Sequence, residues 1–122
     1  MGRSVEHVLR VFDVRAKPGQ VSALREKLAS TSIDVVRGEP GNVGHYFGRL
    51  HSAAGDELVF ISIWSSLEAV KARFGDSWEK SFLPPGYEAL IEDCSIRHYV
   101  VDGELADAAS AERSADADGA TA

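Results

Sequence analysis

In three stretches of the chain, residues 7–14, 42–51 and 94–101, alternate residues form two sets of side chains, of which at least one set is mainly apolar or aromatic. This alternation predicts three β-strands. A fourth stretch, residues 57–64, is apolar on both faces of the strand that it would form. The two sets are Leu58, Phe60 and Trp64 on one face and Val59, Ile61 and Ile63 on the other. A strand of this kind lies inside a sheet whose two faces are both covered.

Two further segments have apolar residues at helical spacing. Residues 20–37 carry one apolar stripe, and Gly38 and Gly41 with the intervening proline end that helix. The stripe consists of Val21, Leu24, Leu28 and Val35. The second helix follows the strand at 57–64, where Ser65 and Glu68 have the spacing of a capping box, and it stops at Gly75.

The order of elements is therefore β-α-β-β-α-β. It predicts an α+β fold of the ferredoxin-like class, an antiparallel sheet with both helices on one face. One apolar face of the third strand then stays uncovered. We expect a homodimer in which two sheets close face to face into a dimeric α/β barrel. Residues 1–103 form this single domain, and residues 104–122 are predicted to be a disordered, acidic, Ala-rich tail.

The charge of the chain is concentrated in that tail. Beyond Val101 there are six acidic residues and one arginine, which account for −5 of the net charge of −6. The body has no basic patch, so a nucleic-acid partner is not expected. No apolar run reaches the roughly 20 residues that span a membrane, and no signal peptide precedes the first strand, which predicts a cytoplasmic protein. The single cysteine, Cys94, agrees with a reducing compartment.

The candidate chemistry begins with Arg10, a charged residue among apolar neighbours on one face of the first strand. Charged side chains are seldom buried without a partner. Arg10 therefore either reaches solvent at the sheet edge, pairs with a carboxylate such as Asp13 or Glu92, or faces a ligand. His45 and His98, on the second and fourth strands, are either proton-transfer groups or hydrogen-bonded sheet histidines. No spacing of histidine, cysteine and carboxylate residues suggests a metal site.

Three short patterns carry a family resemblance. They are Val14-x-x-x-Pro18-Gly19, Pro40-Gly41-x-x-Gly44-x-Tyr46 and Phe60-x-x-x-Trp64-x-Ser66-x-Glu68-Ala69. Over about residues 7–101 the chain resembles the dimeric α/β-barrel superfamily and, within it, the antibiotic biosynthesis monooxygenase-like group. The same scaffold serves several activities, so the resemblance bears more on fold than on function.

The resemblance implies a small homodimeric oxidoreductase, in the first place a cofactor-independent monooxygenase that acts on an aromatic or quinol-like molecule. In such enzymes an ionised phenol gives an electron directly to oxygen, so neither a cofactor nor a metal is expected. Arg10 would stabilise the anion, and His45 or His98 would take the proton. Six aromatic residues are the expected substrate wall: Phe12, Tyr46, Phe60, Trp64, Phe74 and Trp78. Trp64 is also explained as a core aromatic at the junction of strand and helix, and Trp78 as a lid or as the anchor of the broken second helix.

Two alternatives stay open. The first is a haem-binding or haem-degrading monooxygenase. Trp64 matches the tryptophan of that branch, but Arg10 stands where the branch has an asparagine, and residues 65–93 contain no histidine. Haem would then need one of the four histidines elsewhere, His7, His45, His51 or His98. The second alternative is a non-enzymatic ligand-binding or stress-associated dimer, which is favoured if the protein's own aromatic side chains fill the cavity.

Overall fold

The computed structural model describes residues 7–103, and the predicted tail at 104–122 lies outside this range. Four strands and three helices follow one another along the chain. They are β1 (Val8–Ala16), α1 (Val21–Ala29), α2 (Thr31–Val36), β2 (Asn42–Arg49), β3 (Glu57–Trp64), α3 (Leu67–Phe74) and β4 (Ile91–Val100). Two short 3₁₀ turns, Gly75–Ser77 and Glu88–Leu90, lie in the connection between α3 and β4.

The strands form one sheet in the order β2-β3-β1-β4, and all neighbouring pairs are antiparallel. This arrangement confirms the predicted ferredoxin-like fold. The helices cover one face of the sheet, here called the helix face. Trp64 of β3, Leu24 of α1 and Val70 of α3 are fully buried in the core between them.

The helices differ from the prediction in two details. The first predicted helix is broken at Ser30, whose hydroxyl donates to the carbonyl of Glu26 over 2.7 Å, so that α1 and α2 are separate. Helix α3 is capped by Ser66 rather than by Ser65. The Ser66 hydroxyl accepts from the Ala69 amide at 3.1 Å, while the Ser65 amide donates to the carbonyl of Gly41 at 2.8 Å. The predicted cap was therefore wrong by one residue.

The opposite face of the sheet, here called the outer face, is also apolar. Strand pairing places Leu9 and Val11 of β1 beside Ile63 and Ile61 of β3. Tyr46, opposite Ile61 on β2, is 69% exposed. The remaining outer-face positions of β2 are glycines, Gly44 and Gly48, and a Cβ atom at either would meet no atom within 4 Å. The described part of this chain therefore leaves open space at both glycines, and the register between β2 and β3 shifts between Asn42 and Gly44.

Candidate functional site

Four polar side chains form one row across the helix face. In the strand register, Arg10 of β1 lies opposite Ser62 of β3 on one side and His98 of β4 on the other, and His45 of β2 lies opposite Ser62. The row follows from the alternation of each strand, because residues that pair across antiparallel strands share a face. The sheet thus brings together all three predicted catalytic residues, Arg10, His45 and His98.

Arg10 is 4% exposed and is held by main-chain carbonyls rather than by a carboxylate. Its Nη1 donates to the carbonyl of Trp78 over 2.5 Å and to His98 Nε2 over 3.0 Å, and its Nη2 donates to the carbonyl of Lys80 over 3.1 Å. Asp13, one of the carboxylates considered from the sequence, pairs instead with Arg97 at 2.9 Å. The positive charge of Arg10 is therefore not balanced by an ion pair with any carboxylate of residues 7–103.

The electrostatics of the row favour a cationic arginine beside a neutral histidine. Burial, and then the nearby charge of Arg73, lower the pKa of Arg10 to about 10, which leaves the guanidinium charged at neutral pH. Burial and then the Arg10 charge lower the pKa of His98, and Glu79 opposes them in part. Since an arginine can only donate, His98 Nε2 is the acceptor and the ring hydrogen is on Nδ1.

A cavity lies between this row and the helices. Its volume is about 40 Å³, and its lining includes Arg10 and Ser62 from the sheet, Ser32 from α2, and an aromatic set. The aromatic residues are Phe12, Phe60, Phe74 and Phe82. An apolar cavity of about 150 Å³ is needed to hold benzene. The described cavity is therefore smaller than a single aromatic ring requires.

Three predicted wall residues line this cavity: Phe12, Phe60 and Phe74. The Phe74 ring also lies below the Arg10 guanidinium, with its centroid 3.8 Å from Cζ. This is a cation–π contact at short range. Phe74 therefore connects the arginine to the aromatic side of the cavity.

The other three predicted wall residues lie elsewhere. Trp64 is completely buried behind the cavity, where its Nε1 donates to Ser62 Oγ over 2.8 Å. Trp78 packs edge-on against His98, with ring centroids 5.0 Å apart. Tyr46 is on the outer face of the sheet, so it cannot share a wall with residues of the helix face. Among the candidate histidines, His45 is stacked on Phe60 with centroids 5.6 Å apart and is not part of the lining.

Seven lining residues were not predicted from the sequence, among them the two serines Ser32 and Ser62 and the aromatic Phe82. Ser62 had a signal, because it is a polar residue at an inward position between Phe60 and Trp64. Ser32 had a weaker signal, since it continues the four-residue spacing of Leu24 and Leu28 and so belongs to the inward stripe of the helix. Phe82 lies in an irregular segment without periodicity, so no pattern indicated its direction.

A family model described as antibiotic biosynthesis monooxygenase matches residues 8–77, more than half of the chain. No curated protein sequence matches.

Solved structures share the fold. A protein from Shewanella oneidensis is similar at a TM-score of 0.64 and 17% identity, covering 80% of this chain and 93% of that one. The cofactor-independent oxygenase SnoaB from Streptomyces nogalater, in a mutant form, is similar at a TM-score of 0.60 and 17% identity, covering 83% of this chain and 98% of that one. A haem-degrading protein from Mycobacterium tuberculosis is similar at a TM-score of 0.59 and 17% identity, covering 85% of this chain and 100% of that one. At these identities the likeness shows the fold alone.

None of the helices within residues 7–103 is long and apolar enough to cross a membrane. In the same range, no three histidine, cysteine or acidic side chains come together in a group that could hold a metal ion.

Proposed function

The chain belongs to the antibiotic biosynthesis monooxygenase family, and we propose that it is a cofactor-independent monooxygenase that acts on a small aromatic, quinol-like molecule. The observation that carries this proposal is Arg10, a buried cation without an ion-pair partner among the described residues, at the wall of a cavity lined by phenylalanines. A buried positive charge in apolar surroundings favours the ionised form of a bound phenol. This is the form that reacts with oxygen.

The reaction needs no external reductant. In an anthrone the ring CH₂ becomes a carbonyl, and in a quinol one ring C–H becomes C–OH while the two hydroxyls become carbonyls. In both cases one oxygen atom of O₂ enters the product, and the other leaves as water with two hydrogens of the substrate. The substrate itself supplies the four electrons. The protein's part is to remove the first proton and to hold the resulting anion in a dry site. His45 and His98 are the candidate proton acceptors. For His98 to act, its Nε2 atom has to exchange the hydrogen bond from Arg10 for one from the substrate hydroxyl.

The small cavity requires that its wall moves when a ring binds. Phe82 is the best candidate for this movement, because it is 47% exposed and comes from the irregular segment between Ser77 and Glu88. It touches Phe74 edge-on, with centroids 5.9 Å apart. Turning Phe82 outward would widen the opening of the cavity, and Phe82 belongs neither to the sheet nor to the hydrogen-bond partners of Arg10.

The same small volume favours one other function, a non-enzymatic ligand-binding dimer. If Phe74 and Phe82 keep the cavity closed, the protein binds only very small molecules there. The two functions differ in oxygen consumption, which only the monooxygenase shows.

We propose that the protein does not use haem, because no histidine is offered where an iron ligand would be needed. Helix α3 provides none. His98 directs Nε2 at the Arg10 guanidinium, and His45 lies flat on Phe60. We therefore expect no Soret shift when haem is titrated into the protein.

We also propose that the protein is a homodimer joined through the outer face. Leu9, Ile61 and Ile63 are only partly buried there, whereas Val11 beside them is only 9% exposed even in the single chain. The open space at Gly44 and Gly48 allows a second backbone to approach. An apolar surface of this kind on a folded domain is typical of an interface.

Oxygen uptake tests the proposed activity. Pure protein is incubated with a panel of hydroquinones and anthrones, and the rate is compared with the rate without protein. We expect uptake that falls by about 100-fold or more in Arg10→Ala, the scale on which loss of one buried electrostatic group reduces turnover. Arg25→Ala, at an exposed position of α1, is the matched control and keeps the rate. Uptake no faster than without protein would exclude the activity.

A further inference from the structure

We infer that the cavity distinguishes the two oxygens of a dihydroxy-aromatic ligand, holding an ionised oxygen at the sheet and a neutral hydroxyl at α2. This inference rests on the proposed function, because it names the substrate class of the same site. It is derived from the direction of each hydrogen bond around three buried polar residues, Arg10, Ser62 and Ser32. Each is more than nine-tenths buried, at 4%, 2% and 8% exposure.

The Ser32 hydroxyl can act towards the cavity only as a hydrogen-bond acceptor. The Tyr87 hydroxyl lies 3.1 Å from the carbonyl of Lys27, which can only accept, so Tyr87 donates its single hydrogen there. Ser32 Oγ lies 2.6 Å from the same hydroxyl. Since the Tyr87 hydrogen is already used, Ser32 donates to Tyr87. The Ser32 oxygen at the cavity wall therefore has only lone pairs to offer a ligand.

The Ser62 hydroxyl can act towards the cavity as a hydrogen-bond donor. Trp64 Nε1 can only donate, so Ser62 Oγ is the acceptor in their 2.8 Å hydrogen bond. Within residues 7–103 the Ser62 side chain forms no other hydrogen bond. Its hydroxyl hydrogen is therefore available at the cavity.

Arg10 also retains donors. A guanidinium has five N–H groups, and the hydrogen bonds to Trp78, Lys80 and His98 use three of them. The hydrogen on Nε and one hydrogen on Nη2 have no acceptor among residues 7–103. Two neighbouring N–H groups with a positive charge suit an oxygen anion.

The two sides of the cavity are thus of opposite character. The sheet side, with Arg10 and Ser62, offers donors and positive charge, whereas the α2 side, with Ser32, offers an acceptor. The complementary ligand is the monoanion of a dihydroxy-aromatic molecule. A monomethyl ether of the same molecule has no hydrogen to donate to Ser32, and a buried acceptor without a donor is costly.

Ligand binding under anaerobic conditions tests this polarity, because substrate oxidation is then prevented. The probes are hydroquinone and 1,5-dihydroxynaphthalene, each beside its monomethyl ether, with affinity measured by calorimetry. We expect the native protein to bind at least one diol about tenfold more tightly than its ether, the effect of one buried hydrogen bond. In Ser32→Ala the preference should disappear, and in Ser62→Ala both ligands should bind more weakly by the same factor.

Tyr87→Phe is the sharper variant, because it keeps Ser32 but removes the hydroxyl to which Ser32 donates. The Ser32 hydrogen can then turn to the ligand, so the affinity of the ether should rise relative to that of the diol. A merely structural role of Tyr87 would weaken both ligands alike. Ser77→Ala, at an exposed position outside the cavity, is the control, and circular dichroism verifies that each variant is folded.

The outcomes separate this inference from the proposed function. A diol preference that Ser32→Ala removes, in a protein that consumes no oxygen, supports the inference and excludes the monooxygenase. Oxygen uptake without a diol preference overturns the inference and leaves the activity in place. Equal binding of diol and ether by the native protein, no binding of any probe, or a diol preference that keeps its native value in Ser32→Ala and in Tyr87→Phe also overturns it.

Discussion

Arg10 is buried in this protein because peptide carbonyls take the place that a carboxylate usually has. The carbonyls of Trp78 and Lys80 lie at the negative ends of their peptide dipoles, and the Phe74 ring adds a contact with its electron-rich face. These groups balance the guanidinium only partially. The arginine therefore fixes the segment at Trp78–Lys80 to the sheet and at the same time keeps its charge for a ligand.

Replacing Arg10 with methionine should destabilise the fold. Methionine has a similar length but no donors, so two buried carbonyls lose their hydrogen-bond partner, and each such loss costs about 1–3 kcal/mol. We expect the free energy of unfolding, measured by urea denaturation, to fall by about 2–4 kcal/mol. Arg25→Met, on the exposed side of α1, should change it by less than about 0.5 kcal/mol. Equal stability of the two variants would mean that the carbonyls are satisfied in another way.

His98 should make stability depend on pH. Its pKa is lower in the folded chain than the ordinary value of 6.5, so the unfolded chain binds the proton first as the pH falls. Neutral His98 therefore contributes fully to the free energy of unfolding above pH 6.5. That contribution is lost as the pH falls from 6.5 towards the lower pKa of His98 in the folded chain.

We expect the free energy of unfolding to fall between about pH 7.5 and about pH 5.5, and the fall to be smaller in His98→Gln. Glutamine still offers an oxygen to Arg10 but does not titrate. His51→Gln, in the exposed loop between β2 and β3, serves as the control. A pH profile that is the same in His98→Gln and in the native protein would exclude His98 as its source.

At the scale of elements, the start of β2 is fixed by its contact with α3. Gly41 has a φ angle of +86°, and a Cβ atom there would lie 2.4 Å from the Cβ of Ala69. Its carbonyl accepts the Ser65 amide just before α3. The close approach and the left-handed backbone both require glycine.

Gly41→Ala should therefore lower the free energy of unfolding by more than the cost of the left-handed backbone conformation alone. The left-handed conformation costs an L-residue about 1–2 kcal/mol, and the clash with Ala69 adds to it, so we expect a loss of about 3 kcal/mol or more in unfolding free energy. Gly38→Ala is a matched control, because Gly38 has a φ angle of +78° but no atom within 4 Å of its Cβ position. Equal losses in thermal or urea denaturation would show that α3 moves aside freely.

The order and type of the elements could be predicted because each depends on the period of a whole segment. The break at Ser30 and the cap at Ser66 could not, since they depend on single hydrogen bonds. The same division holds at the site. Arg10 and Phe60 were found from strand alternation, whereas Phe82 belongs to an irregular segment. For Trp64 the sequence allowed either a core position or a place in the wall, and its indole fills the core behind Ser62.

At the scale of the whole molecule, the apolar outer face of the sheet is the surface that the helices of the same chain do not cover. Leu9, Val11, Ile61 and Ile63 cannot be covered by the helices, which lie on the other side of the sheet. The Asp13–Arg97 pair lies beside them and gives the surface a charged margin. Such an apolar centre with a polar rim is usual for an interface between subunits.

Ile61→Lys should prevent the proposed association. A charge at the centre of an apolar interface is desolvated without a partner, which costs several kcal/mol per dimer. By sedimentation velocity at micromolar concentration, we expect the native protein to have the mass of two chains and the variant that of one. Ala72→Lys, at an exposed position of α3, should leave the mass unchanged. A native protein with the mass of one chain contradicts the dimer.

The unbalanced charge of Arg10 has a consequence for handling the protein in solution. Any dissolved anion that reaches the guanidinium binds only the native chain, so mass action links the melting temperature to the choice of salt. Formate or acetate should raise that temperature more than an uncharged solute of equal size, such as formamide or acetamide. Buffer composition is thereby part of the thermodynamic description of this molecule.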